Sequence, residues 1–102
     1  VNSDSFATAW KAEMESFLNN DYLAMKASML SLEKENLDAC KPLIKEILSD
    51  AFYTLLLGLD GATSIGGTQN SYTIKSESGE LSADTPGSLE AAAWKAFHSG
   101  RG

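Results

Sequence analysis

Apolar residues recur at helical spacing from the start of the chain. Phe6, Trp10, Met14, Phe17 and Leu18 line up on one side, while Lys11, Glu13, Glu15 and Ser16 fall mostly on the other. This pattern predicts a first helix beginning near Ser3 to Ser5, where several residues can cap it. Asn19-Asn20-Asp21 ends it and supplies the next cap. A second helix follows over roughly 22–34, with Tyr22, Met25, Met29 and Leu32 in one stripe and Leu23 and Leu30 beside it. A Met-rich stripe can mark an adaptable binding face. The expectation here is ordinary core.

Glu33-Lys34-Glu35-Asn36 reads as a polar joint, and Asp38 as the cap of a third helix. Pro42 then falls in that helix's first turn, where a missing N–H costs little. Leu43, Ile44, Ile47, Leu48, Ala51, Phe52, Leu55, Leu56 and Leu59 carry an apolar face, to which Tyr53 and Leu57 add another side. A helix that is apolar nearly all round is expected to be buried nearly all round, so this one should be the centre of the core.

The pattern changes after Leu59. Residues 60–71, DGATSIGGTQNS, are small, polar and glycine-rich and read as loop. Tyr72, Ile74 and Ser76 alternate with Thr73 and Lys75, suggesting a short strand; Glu77-Ser78-Gly79 turns, and Glu80-Leu81-Ser82 returns. Such a hairpin must lie against the helices to be stable. Thr85, with Pro86 at the first position, or else Ser88, caps a last helix. Leu89, Ala92, Ala93, Ala96 and Phe97 are its buried face, and Ser99-Gly100 its end. The predicted fold is α+β and mainly helical: three N-terminal helices, the third long and central, a short β-hairpin and a C-terminal helix, all in a single domain over residues 1–102.

Charge narrows the function classes. The net charge is −6, against the basic face that binding to DNA or RNA phosphates requires. Residues 1–58 hold nine acids and five lysines, so the helical part is the more acidic. A basic protein partner is therefore the sharper expectation and a solvated face the plainer one. No apolar run approaches the length of a membrane span, and no basic segment leads into an apolar stretch at the N-terminus. With the single cysteine, Cys40, these features make the expected location cytoplasmic, without membrane contact.

Candidate chemistry is sparse. The stretch Gly61-Ala-Thr-Ser-Ile-Gly-Gly-Thr68 is one letter from a phosphate-binding loop, with Gly67 in place of the lysine. Such a loop needs a strand before it and a helix after it; here a helix enters and none directly follows. The expected roles are structural: Gly61 ends the helix in the left-handed conformation, Gly66-Gly67 makes a sharp reversal, and Ile65 plugs the loop onto the core. Asp60 is an acid at the negative end of a helix dipole, against electrostatic preference. It is read first as a clasp accepting loop N–H bonds, and second as part of a ligand site. His98 is the only histidine and suits a helix C-terminus as a cation; Cys40 and His98 do not make a metal motif. Trp10 and Trp94 are expected in the core or at its edge. No cofactor, metal or catalytic residue is indicated.

The stretch 52–98, with LLLGLDGATSIGG, then SYTI, GEL and AAWKAFH, resembles small uncharacterised bacterial domains, some of which accompany toxins as immunity partners. The resemblance implies an acidic cytoplasmic binding protein without catalysis and transfers no catalytic residue. The leading expectation is thus a non-enzymatic binder that meets a basic partner through Glu13, Glu15, Glu33, Glu35 and Asp38. The alternative is a small-ligand or enzymatic module built on Asp60, Gly61, Gly66 and Gly67, with Tyr72 or His98 nearby. As to assembly, monomer and homodimer both stay open.

Overall fold

The computed structural model describes residues 2–77, 79–80 and 87–98. Helix α1 spans Ser3–Ser16, α2 Asn20–Met29, α3 Lys34–Leu59 and α4 Ser88–His98, with strands β1 (Lys75–Ser76) and β2 (Gly79–Glu80) before α4. The mainly helical α+β order is the expected one.

Local chemistry sets most boundaries. Asn2 caps α1 in a capping box with Ser5, and the helix starts at Ser3, within the expected range. Asn19 caps α2 through Asp21 N and Tyr22 N. That helix stops at Met29, short of the expected 34, and the chain turns through Ser31 at φ 55°. The expected role of Asp38 as cap of α3 is overturned. The helix begins at Lys34 with Glu33 at the cap position, and Pro42 lies inside it rather than in its first turn. A proline there removes one backbone bond. The two turns before it are held by Leu37, which buries against Leu23 and Ala27 of α2, and by Asp38, which pairs with Lys34 at 3.5 Å and Lys41 at 3.4 Å.

Two cores hang on α3. Its C-terminal half joins α1 and α4 around Ala7, Met14, Leu56, Leu89, Ala92, Ala93 and Phe97. Its N-terminal half packs on α2 through Leu23, Ala27 and Leu37, with Tyr22 and Ile44 at the margin. At 26 residues, α3 is about 39 Å long. The radius of gyration, 15.9 Å, exceeds the ~13 Å of a compact chain this size. The α2–α3 pair is therefore an arm beyond the main core.

Three polar contacts give the helix directions. Ser3 Oγ meets Ser88 Oγ at 2.9 Å, and the Lys11 ammonium donates to Ala96 O at 3.0 Å, both pairs 85 residues apart. A constant offset means that α1 and α4 run parallel. Tyr53 touches His98 while Asp60 reaches Glu90, so α3 runs antiparallel to α4.

The expectation that α3 is buried nearly all round is also overturned. Leu37, Ser49, Leu56 and Gly58 are its buried residues, while Leu43, Ile47, Ala51 and Leu55 are exposed. The remaining elements cover one face and not the other. The Met stripe of α2 is likewise not core: Met25 is 51% and Met29 70% exposed, because α2 turns Leu23 and Ala27 inward. Trp94 is exposed, and Trp10 is half-buried at the core edge. The strands pair antiparallel, Lys75 with Glu80 and Ser76 with Gly79, so Tyr72 precedes the ladder. Ile74 packs against the main core. The expected return strand at Leu81-Ser82, the cap at Thr85-Pro86 and the helix end at Ser99-Gly100 lie outside the described residues.

Candidate functional site

Helix periodicity builds the most extensive candidate surface. Leu43, Ile47, Ala51 and Leu55 follow one another at i+4 and form a single ridge on α3. Leu43 is 60%, Ile47 57% and Leu55 42% exposed. Glu46 and Asp50, both exposed, border one edge of the ridge. Ile44 and Leu48, both half-buried, border the other, which leads round to Phe52. The sequence reading put these apolar residues in the core. The signal that they form a surface is the all-round apolarity itself, which the four described helices cover on one side only.

The five expected partner-binding acids do not form one patch. Glu13 and Glu15 lie on α1, two residues apart and so on different sides of that helix. Glu33, Glu35 and Asp38 sit at the start of α3, about 21 Å or more along its axis from Phe52, the residue beside Glu13's groove. Asp38 is engaged by Lys34 and Lys41 and lines a groove of about 610 Å³ between α2 and α3.

Glu13 has different company. With Phe6, Ala9, Trp10, Phe17 and Phe52 it lines a mostly apolar groove of about 480 Å³ between α1 and α3. Trp10 stands at 78° to Phe6 with centroids 6.3 Å apart, and at 62° to Phe52 at 5.8 Å. Phe17 meets Tyr22 edge-on at 5.5 Å.

The stretch GATSIGGT is a helix stop followed by a tight turn. Ala62 N bonds Leu57 O at 2.9 Å and Gly61 N bonds Gly58 O at 3.1 Å, with Gly61 at φ 79°; this is a Schellman motif. Ile65 and Thr68 exchange backbone bonds at 2.8 and 3.1 Å across Gly66 and Gly67, at φ 59° and 85°, a pair of left-handed residues that suits glycine. Ile65 lies on Gly58 so closely that a Cβ there would come within 2.4 Å of its Cγ1.

Asp60 resolves the electrostatic puzzle it poses. Its Oδ2 accepts the Glu90 N–H at 3.0 Å. The residue before α4 is Gly87, which has no side chain to cap with, so Asp60 supplies an acceptor from the end of α3. It is disfavoured by its own helix dipole and favoured by that of α4.

The other residues of the alternative site are spread out. Tyr72 is exposed. His98 sits at the end of α4 away from Glu90, about 12 Å along the helix. It stacks on Trp94 at 4.4 Å and 27°, and meets Tyr53 edge-on at 4.5 Å; its Nδ1 is buried with no hydrogen-bond partner among the described residues. Cys40 lies more than three turns before Tyr53 on α3, which separates it from His98.

Among the described residues no group of His, Cys, Asp and Glu could hold a metal ion, and no helix is long and apolar enough to cross a membrane. Compared with protein-family models, curated proteins and solved structures, the chain gives no match.

Proposed function

We propose that this chain is a non-enzymatic protein-binding domain that engages a basic partner through an acidic helical surface. The observation that carries the reading is the exposed Leu43–Ile47–Ala51–Leu55 ridge with Glu46 and Asp50 along its edge. A monomer gains nothing from exposing such a stripe, and contiguous exposed apolar surface marks interaction sites.

Charge selects the occupant. Two copies docked antiparallel through this ridge would bring like edges together, Glu46 and Asp50 facing their counterparts. Docked parallel, they would press those acids against the apolar Ile44–Leu48 edge. Both arrangements are disfavoured, whereas an apolar element with lysine or arginine along one edge fits. The partner is held by apolar contact and occluded sterically; charge speeds encounter and sets register. Glu33 and Glu35, on the same helix, and Glu13 and Glu15, on α1, extend the negative field. The resemblance to immunity partners makes a bacterial, cytoplasmic, immunity-like role the specific form of this reading.

The test is capture from the source cell's lysate with the wild type, an Ile47→Asp variant and a Glu33→Lys/Glu35→Lys variant, at low and moderate salt. One basic protein should be retained by the wild type, lost with Ile47→Asp and weakened by the charge reversals and by salt. Equal retention by all three overturns the reading. Sedimentation of the chain alone showing an Ile47-dependent dimer would assign the ridge to self-association instead.

A further inference from the structure

We propose that the groove between α1 and α3 is a binding site for an organic cation, the guanidinium or ammonium side chain of a basic protein partner. The assignment of the cation to a partner rests on the proposed function; the site itself rests on the groove. Trp10 is inclined at 78° to Phe6 and at 62° to Phe52 and stacks face to face with neither, so π surface remains for a ligand. A cation with an aliphatic stem satisfies such a wall twice, by apolar contact and by attraction to the ring quadrupole.

Glu13 supplies the sign. It lies one turn after Trp10 and one turn before Phe17, lines the groove, and its carboxylate has no ion-pair partner among the described residues. The chain's own nearby cation on α1 is committed elsewhere: Lys11 donates to Ala96 O at 3.0 Å and lies over the Phe97 ring at 5.5 Å. An anionic ligand would meet Glu13 as a like charge. A neutral group would gain nothing from the charge of that carboxylate, which is exposed. The groove also continues the ridge, because Leu55 follows Phe52 by three residues. A partner seated on α3 can therefore place one cationic side chain here.

The experiment is an NMR titration of the ¹⁵N-labelled chain with acetyl-arginine amide and with acetyl-citrulline amide, its neutral isostere. The two indole signals are assigned by the Trp94→Phe variant. The arginine probe should shift the Trp10 indole saturably in the millimolar range, with citrulline about five-fold weaker. Glu13→Gln, an exposed change that leaves the fold intact, should weaken arginine about three-fold or more and leave citrulline unchanged. Equal binding of the two probes, no saturable shift of Trp10, or indifference to Glu13→Gln each overturns the proposal. Ile47→Asp should not alter the titration. Failure here with Ile47-dependent capture intact would remove the cation site and leave the docking ridge standing.

Discussion

Asp60→Ala isolates the link between the end of α3 and the start of α4. Three terms contribute. Loss of a helix cap costs about 1 kcal/mol, within a range of roughly 0.5–2. Loss of a negative charge at the N-terminus of α4 costs about 0.3–1 kcal/mol, and its removal from the C-terminus of α3 returns a similar amount. The dipole terms thus nearly cancel, and the cap remains. The expected loss is about 1 kcal/mol, equivalent to a fall in Tm of about 4–8 °C for a domain of this size. Asp60→Asn keeps an acceptor oxygen in place and should cost less than half as much. Urea denaturation of both variants measures the difference, and hydrogen exchange at the Glu90 amide should quicken in the alanine variant alone. A stability of Asp60→Ala within about 0.3 kcal/mol of wild type, unchanged exchange at Glu90, or an asparagine variant as damaged as the alanine would each refute this account.

Other substitutions test the packing. Gly58→Ala should cost about 1–3 kcal/mol by driving a methyl into Ile65. In an Ile65→Ala background the same change should become neutral or stabilising, since alanine is the better helix former by about 1 kcal/mol; thermal melts of the four proteins show the reversal. Lys11→Met keeps the stem over Phe97 but removes the donor to the last turn of α4, and should lower urea stability by about 1–2 kcal/mol. Leu56→Ala, at a fully buried position, should cost about 2–5 kcal/mol. Ile47→Ser on the open face of the same helix should stay within about 0.5 kcal/mol of wild type, which separates its role in binding from any role in folding.

Features encoded within a few residues were readable in the sequence. Asn19 as a cap, Gly61 as a helix stop and Gly66-Gly67 as a reversal each depend on backbone geometry next to the residue. Leu89, Ala92, Ala93 and Phe97 were placed inward by periodicity, and they are buried. What periodicity cannot report is whether a partner exists for each stripe. Leu43, Ile47 and Met29 have core spacing, but the described residues leave them exposed. Pro42 misled for a related reason: local propensity argued for a helix start near Asp38, while the helix, with Leu37 packed on α2, begins about one and a half turns earlier. The role of Asp60 was half visible. Its clash with the dipole of α3 signalled a bond to backbone N–H, expected from the adjacent loop; the donor is instead Glu90, 30 residues on, which spacing does not reveal. Glu13 was selected for its charge; the aromatic wall beside it follows from helical neighbours that had been counted only as core.

The parallel pairing of α1 and α4 sets an order of events in folding. The two hydrogen bonds between them join residues 85 positions apart, so the main core cannot close until α4 is available. The α2–α3 arm joins near neighbours and can form first. Closure between distant segments carries the larger entropic cost and slows folding. During synthesis α1 can pack on α3 through Trp10 and Phe52, but the side of it that meets α4 stays uncovered until residues 88–98 have been made. Slow refolding, with α1 amides protected only in the last kinetic phase, is the expected signature in pulse-labelled hydrogen exchange.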